Sequence, residues 1–136
     1  MEEQAMAREK ILVVDDDEAV REFLARFLRQ KGFQTVSVAR SGEEALLLLE
    51  REPRDLVFLD IKMPGLSGIK VLRKIKTLYP ETSVIMITAF AQKEIAEEAL
   101  KEGAYDYITK PFNLSYLELS LLSKIATAPE ERRSNG

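Results

Sequence analysis

The chain has 136 residues, of which 46% are hydrophobic, and this is enough for one globular domain with its own core. Its net charge of −3 argues against a surface that binds nucleic acid directly, because such a surface needs a basic face. The chain has no cysteine and no histidine, which excludes disulfides, thiolate zinc sites, Ser-His-Asp triads and a phosphohistidine on this chain.

Apolar runs and helical patterns alternate along the sequence. Residues 11–15 form an apolar run that ends on an aspartate, as expected of a strand buried on both faces. A predicted helix follows, and its apolar stripe at helical spacing comprises Val20, Phe23, Leu24, Phe27 and Leu28. Gly32 then ends this helix, and residues 34–39 are predicted to form the second strand.

The alternation continues through the middle of the chain. Ser41 caps a predicted helix that runs to residue 51, and residues 56–60 form the next apolar strand. The turn at residues 64–65 leads into a helix that begins at Ser67 or Gly68 and ends before a proline. Its predicted apolar positions are Ile69, Leu72, Ile75 and Leu78.

The last part of the chain is predicted to hold two further strands, residues 83–88 and 105–109, and a helix over residues 92–102 between them. Asn113 caps a final helix that extends to about residue 127. In this helix the predicted inward stripe is Leu114, Leu117, Leu121 and Ile125. Three further apolar residues lie off the stripe and are expected to form an interface: Tyr116, Leu119 and Leu122.

These elements make five consecutive strand–helix units, which predicts an α/β fold with a doubly wound parallel sheet and helices on both faces. The predicted domain covers residues 10–127. Residues 1–9 form an N-terminal extension that lacks the apolar stretch of a signal peptide. Residues 128–136 form a polar tail that is expected to be disordered.

Residues that can handle a phosphoryl group end four of the apolar runs. They are Asp15, Asp16 and Asp17 after the first run, followed by Asp60, Thr88 and Lys110. Because the carboxyl ends of parallel strands share one edge, we expect these side chains to meet there and bind a divalent cation. Asp17 and Glu18 are expected to cap the first helix instead.

Four segments of the sequence match the motifs of one known family: VVDDD, LDIKMPGLSG, MITAF and YDYITKPF. Their key residues Asp15, Asp60, Thr88 and Lys110 follow one another at intervals of 45, 28 and 22 positions. From about residue 10 to residue 126 the chain resembles a response-regulator receiver domain of two-component signalling, similar to the chemotaxis regulators. The resemblance implies a five-stranded sheet of order 2-1-3-4-5. It also implies a phosphoacceptor domain, which is not an enzyme acting on a separate substrate.

The resemblance assigns a role to each matching residue. Asp60 would be the phosphoacceptor, and Thr88 and Lys110 would contact the phosphoryl oxygens. Asp15, Asp16 and Asp60, with the backbone carbonyl of Lys62, would hold Mg²⁺, for which Mn²⁺ could substitute. The phosphoryl group would come from a histidine kinase or a phosphotransfer protein in the cytoplasm, with no membrane involved.

The resemblance also points to residues around this centre. Tyr107 would change rotamer together with Thr88 on activation, and Ala89 would leave room for the incoming donor. Lys62 and Phe90 would set the lifetime of the phosphoryl group. Neither offers a carboxylate or an amide to orient water, so we expect slow hydrolysis. The fourth helix, fifth strand and fifth helix would form the output face, used in a homodimer or with a downstream protein.

Two other functions remain open at this point. The run ILVVDDDEA also fits the nucleophile loop of haloacid-dehalogenase-like phosphatases, in which Asp15 would be the nucleophile and Asp17 the general acid/base. Against this, Ala19 stands where that family has Thr or Val, and no later acidic pair completes a metal site. The second alternative is a receiver fold that serves as an adaptor and is never phosphorylated.

Overall fold

The computed structural model describes residues 8–89 and 93–126, the last three of them by their backbone alone. In this part of the chain five strands alternate with five helices. The strands are β1 (Lys10–Val14), β2 (Thr35–Ala39), β3 (Leu56–Asp60), β4 (Ser83–Thr88) and β5 (Asp106–Thr109). The helices are α1 (Glu18–Gln30), α2 (Gly42–Arg51), α3 (Gly68–Leu78), α4 (Lys93–Lys101) and α5 (Leu114–Ala126).

The strands form one parallel sheet in the order β2-β1-β3-β4-β5, which confirms the predicted fold class and strand order. The order reverses at β1, because the chain goes to one side for β2 and to the other for β3. In open sheets of this kind the ligand lies in the crevice at the carboxyl ends of the strands beside that reversal. The carboxyl ends of β1 and β3 are therefore the expected place for a site.

The sheet divides the hydrophobic core into two halves. On one face, α1 and α5 pack against the sheet through a buried set that includes Ile11, Val13, Leu24, Leu28, Phe58, Ile108, Leu117 and Leu121. On the other face, α2, α3 and α4 pack through a set that includes Leu12, Val14, Ala45, Leu49, Leu59, Leu72, Ile75 and Ala99. Successive strand residues point to opposite faces, which is why the interiors of the three central strands are apolar and their polar residues stand at the strand ends.

The ends of the helices follow the capping rules used for the sequence. The hydroxyl of Ser41 accepts the N–H of Glu44 at 3.1 Å, and the side-chain oxygen of Asn113 accepts the N–H of Tyr116 at 3.0 Å. After α1 the backbone turns at Gly32, whose φ of 104° is readily accessible only to glycine. Ser41 and Asn113 thus stand where helices begin, and Gly32 stands just past the end of one.

Three side chains of the predicted apolar stripes are exposed instead, and those predictions are wrong. They are Phe23 at 42%, Leu78 at 60% and Leu114 at 50% of full exposure. Leu78 and Leu114 are the last residue of α3 and the first of α5, where a helix projects past the sheet. Phe23 lies at the margin of the α1 stripe, and its exposed ring stacks on Phe112, which is partly buried against the core.

Several predicted boundaries shift by one residue or fall outside the described chain. β1 ends at Val14, so Asp15 lies just beyond it, and β5 begins at Asp106. The predicted start of the fourth helix at Gln92, and most of the predicted extension and tail, lie outside the described residues, as does Phe90. None of the helices within the described ranges is long and apolar enough to cross a membrane.

Candidate functional site

Four of the residues selected from the sequence lie at one edge of the sheet. Asp15 follows β1, Asp60 ends β3, Thr88 ends β4 and Lys110 follows β5. The backbone N–H of Lys110 donates to the carbonyl of Thr88 at 2.8 Å, which continues the ladder between β4 and β5 beyond the strands. Asp15 and Thr88 are fully buried and Asp60 is 4% exposed. The sheet therefore sets all four residues in place through its backbone pairing.

Asp15, Asp16 and Asp60 form an acidic cluster in which one carboxylate oxygen from each residue lies within 4.8 Å of the other two. Asp15 and Asp60 are buried, whereas Asp16 is exposed, so solvent meets the cluster at Asp16. Buried carboxylates at this spacing repel each other unless positive charge lies among them. An all-oxygen set of this kind suits a hard divalent cation such as Mg²⁺.

The backbone and neighbouring groups fix Asp15 rigidly. Its Oδ1 accepts the N–H of Asp17 at 2.9 Å, and its carbonyl accepts the Arg21 guanidinium at 2.8 Å. Its Oδ2 is buried and has no hydrogen-bond partner, although it lies 2.7 Å from the ammonium of Lys110. That contact is an ion pair outside hydrogen-bond angles, and it leaves a buried oxygen available as a ligand. The donor set thus fits a divalent cation.

Lys110 contributes the positive charge that the protein itself supplies to this cluster. Its Nζ lies 2.7 Å from Oδ2 of Asp15 and 3.7 Å from Oδ2 of Asp60. The ammonium is thus shared between two buried carboxylates, and most of the side chain is screened from solvent. One ammonium offsets only part of the repulsion among three carboxylates. The repulsion that is not offset contributes to a raised pKa of Asp60.

The pKa of Asp60 is raised to about 7. Burial is the largest cause, and the neighbouring charge of Asp15 adds to it, whereas Lys110 and the N–H of Lys62 act in the opposite direction. That N–H points at Oδ1 of Asp60 from 3.4 Å, so the backbone of Lys62 lies directly beside this carboxyl group. The predicted acceptor thus lies where Lys110 and the N–H of Lys62 offset only part of the cost of its charge, and an added cation would offset more.

The residues predicted to surround this centre occupy varied positions. Ala89 follows Thr88 directly and is exposed, and the side chain of Lys62 is also exposed. Tyr107 is partly buried and packs against the half of the core beneath α2–α4. Phe90, predicted to shield the phosphoryl group, lies outside the described residues. The Lys110–Pro111 peptide bond is cis.

Gly68 is part of the site, and the sequence reasoning treated it only as a helix start. A Cβ at this position would lie 2.2 Å from the carbonyl oxygen of Asp60 and 2.6 Å from Cα of Ile61. Both of these are backbone atoms of the acceptor segment and cannot move aside. The start of α3 therefore rests directly on the end of β3. The signal for this contact is the glycine eight residues after the acceptor in LDIKMPGLSG.

The predicted interface residues of α5 are exposed on its outer side. Leu119 is 60% exposed, and Tyr116 and Leu122 are also largely exposed, whereas Leu117 and Leu121 are buried. The hydroxyls of Tyr116 and Ser120 both donate to the carboxylate of Asp106, at 2.9 and 2.5 Å for its Oδ2. Burial raises the pKa of the Tyr116 phenol, and this hydrogen bond raises it further. The side chain of Ile125 lies outside the described residues.

Asp17 has a structural role that conflicts with the phosphatase alternative. Its Oδ1 accepts the N–H of Ala19 at 2.9 Å, which makes Asp17 the N-cap of α1, as predicted. The Asp17 carboxylate is therefore engaged with the backbone of α1, whereas a general acid/base would have to face the reacting group.

Comparison with known proteins gives a consistent family. The profile described as response regulator receiver domain matches residues 11–121. The regulatory protein AtoC of Escherichia coli is 43% identical over 110 residues, which cover 81% of this chain and 24% of AtoC. Sporulation initiation phosphotransferase F of Bacillus subtilis is 37% identical over 109 residues, which cover 80% of this chain and 87% of that protein.

Solved structures agree with this assignment. CheY in the CheX-CheY-BeF3-Mg complex of Borrelia burgdorferi superposes with a TM-score of 0.82 at 29% identity, over 86% of this chain and 89% of that one. Several relatives are much longer than this chain, which spans about a quarter of AtoC. Together with the acidic pocket, these matches show that the chain belongs to the response-regulator receiver family of two-component signalling and contains a phosphoacceptor domain.

Proposed function

We propose that Asp60 accepts a phosphoryl group from the phosphohistidine of a histidine kinase or a phosphotransfer protein. The observation that supports this most directly is the placement of the Asp60 carboxylate between a lysine ammonium and two further carboxylates in one pocket. An oxygen of Asp60 attacks phosphorus, the P–N bond to imidazole breaks, and the imidazole nitrogen keeps the electron pair. The product is an acyl phosphate on Asp60.

Asp15, Asp16 and Asp60 would hold a divalent cation, with the backbone carbonyl of Lys62 as a further ligand. Mg²⁺ fits these oxygen ligands, and Mn²⁺ is an alternative ion of similar preference. When bound, the cation supplies positive charge to the transferred phosphoryl oxygens. The buried Oδ2 of Asp15 supports this assignment, because Lys110 is its only ion-pair partner among the described residues and that one ammonium is shared with Asp60. The solved CheY complex that contains Mg also supports it.

Lys110 and Thr88 would stabilise the phosphoryl group after transfer. The transition state spreads negative charge over the equatorial oxygens, so fixed donors beside them lower the barrier. Lys110 is already within 3.7 Å of the Asp60 carboxylate, and Thr88 ends the neighbouring strand. Ala89, small and exposed, would leave room for the donor to approach.

We infer that the phosphoryl group is read out through Thr88 and Tyr107. A hydrogen bond from Thr88 to a phosphoryl oxygen would draw the end of β4 towards Asp60 and change the space available to the Tyr107 ring. Tyr107 is only partly buried, so its ring has room for a second rotamer. The output face would then consist of α4, β5 and α5. Lys62 and Phe90 would slow hydrolysis, and replacing either by a polar amide residue should accelerate it.

The proposed partner places the protein in the cytoplasm. The chain would not bind nucleic acid directly, because such binding needs a basic face and the net charge of this chain is −3.

The test is intact mass spectrometry after incubation with a small acyl phosphate and Mg²⁺, on the wild type and on Asp60→Asn. We expect a single phosphoryl adduct that requires Mg²⁺ and is lost in the variant. If neither protein gains an adduct while Mg²⁺ is bound, either the adaptor alternative or a strict requirement for the kinase is favoured, and a phosphohistidine protein as the donor separates the two. Release of free phosphate that survives Asp60→Asn would instead indicate a phosphatase with Asp15 as the nucleophile.

A further inference from the structure

The aromatic ring of Phe23 is exposed, yet it is not isolated. It stacks on the ring of Phe112 with centroids 5.8 Å apart and planes at 12°, and on Phe27 at 6.4 Å and 18°. Phe27 and Phe112 are themselves partly buried against the core, so the exposed ring of Phe23 contacts two rings at the edge of the core. Stacked aromatic pairs contribute beyond the area that they bury. The stack of Phe23 on Phe112 therefore links α1 to the segment that follows β5.

That segment, residues 110–113, carries Lys110 into the site. At one end the N–H of Lys110 is bonded to the carbonyl of Thr88, and at the other end Asn113 caps α5. Between these two anchors, the ring of Phe112 lies against Phe23. A groove of about 420 Å³ runs beside this contact and is lined by Ala19, Val20, Phe23, Lys110, Pro111, Phe112 and Leu114. The groove is thus bordered by the segment and by α1.

Lysine has a long and flexible side chain with high rotamer entropy, so holding its ammonium at one point requires that its backbone and its surroundings restrict it. In this chain that ammonium must lie within reach of two buried carboxylates, at 2.7 Å from Asp15 and 3.7 Å from Asp60. Asp15 is anchored at the start of the same connection that leads into α1. The stack between Phe23 and Phe112 therefore holds the lysine segment against the helix that follows Asp15.

We propose that Phe23 is a positioning residue for phosphoryl transfer: through Phe112 it holds the backbone of Lys110 so that the ammonium reaches Asp60. The proposal rests on the proposed function, since it assigns Phe23 a part in the same reaction. It explains why a large apolar ring stands on the solvent side of α1, whereas the buried contacts of this helix are made by Leu24, Ala25 and Leu28.

The test measures the rate at which a small acyl phosphate phosphorylates Asp60 with saturating Mg²⁺. Phe23→Ala removes the stack but leaves the buried contacts of α1 intact, so the variant should fold. We expect its rate to fall on the order of tenfold, because small misplacements of a catalytic group have large effects on rate. Phe23→Tyr keeps the stack and should restore the rate. Leu47→Ala, at an exposed leucine of α2, is the matched control and should leave the rate unchanged.

A double-mutant cycle separates positioning from general structural support. If Phe23 acts through Lys110, adding Phe23→Ala to Lys110→Ala should leave the residual rate unchanged. A tenfold loss that persists in the Lys110→Ala background would overturn the proposal. So would a Phe23→Ala variant that reacts normally with the small donor and loses rate only with a phosphohistidine protein, since the ring would then serve docking. Absence of any adduct on the wild type with both the small donor and a phosphohistidine protein would refute the proposed function itself.

Discussion

Among the single residues, Asp60 is the proposed acceptor, and its ionised form is destabilised by burial and by the charge of Asp15. In the folded, metal-free protein its pKa is raised to about 7, chiefly by burial. In the unfolded chain an aspartate titrates at about 4. Because the folded pKa is the higher one, the stability linked to this group is fully present below the unfolded pKa. It is lost as the pH rises through the folded pKa.

We therefore predict that the metal-free wild type becomes less stable relative to Asp60→Asn as the pH rises from about 4 to about 7. The difference in the free energy of unfolding should reach on the order of a few kcal/mol. Urea unfolding of both proteins in chelator, at several pH values across this range, measures it. Parallel pH profiles for the two proteins would show that Asp60 ionises normally.

Gly68 gives a second prediction at this scale. Gly68→Ala forces a methyl group against the carbonyl of Asp60, so we expect a loss of about 1–3 kcal/mol in the free energy of unfolding. Phosphorylation should also slow, because the end of β3 must shift. Thermal unfolding and the rate of adduct formation are the measurements, and Lys70→Ala, at an exposed position of the same helix, is the control. Normal rate and stability in Gly68→Ala would mean that α3 can move away freely.

At the scale of elements, α5 is attached to β5 through one carboxylate. Asp106 accepts hydrogen bonds from the hydroxyls of Tyr116 and Ser120, and the second of these residues is buried. Hydrogen bonds to a charged acceptor are stronger than neutral ones. We predict that Asp106→Ala lowers the free energy of unfolding by about 1–3 kcal/mol. Tyr116→Phe, which removes one bond and leaves the carboxylate, should cost less; equal stability of Asp106→Ala and the wild type would contradict this.

The exposed apolar residues of α5 are predicted to form an interface between copies of this chain or with a partner protein. Leu119 and Leu122 lie outside the core, so a charge there should disturb association and leave the fold intact. We expect sedimentation of the wild type with Mg²⁺ and beryllium fluoride to show a species heavier than the monomer at high concentration. Leu119→Glu should remain monomeric, whereas Leu47→Glu on α2 should behave as the wild type. A monomer under every condition would count against an interface between copies.

The sequence predicted most of this architecture because strand and helix periods are local properties. Buried strands appear in the sequence as unbroken apolar runs. The pairing of parallel strands then places the residues that end these runs at one edge of the sheet. For this reason the sequence alone predicted that Asp15 and Asp60 lie close together. Phe23 could not be placed correctly, because an apolar residue at the margin of a helical stripe has the same spacing as a buried one. The glycine in LDIKMPGLSG marks the position of Gly68, but its contact with the backbone of β3 depends on how α3 packs, which the spacing of residues does not contain.

At the scale of the whole molecule, a bound cation should stabilise the fold. A ligand that binds only the folded state stabilises it by about 2.7 kcal/mol at 100 times its Kd. We predict that Mg²⁺ raises the Tm of the wild type in a concentration-dependent manner, and that chelator reverses the effect. Asp15→Asn should respond much less, because it removes a ligand from the cluster. An equal rise in both proteins would place the stabilising cation elsewhere on the surface.

The division of the core by the sheet has a consequence for β5. Tyr107 packs into the half beneath α2–α4, and its neighbour Ile108 belongs to the half beneath α1 and α5. Lys110 stands just past the end of the same strand. β5 is also an outer strand with a single neighbour, so it is less constrained than β1 or β3. A movement at the end of β5 would therefore change the packing on both faces of the sheet at once. The helices on one face could not shift in response to it without a change on the other face.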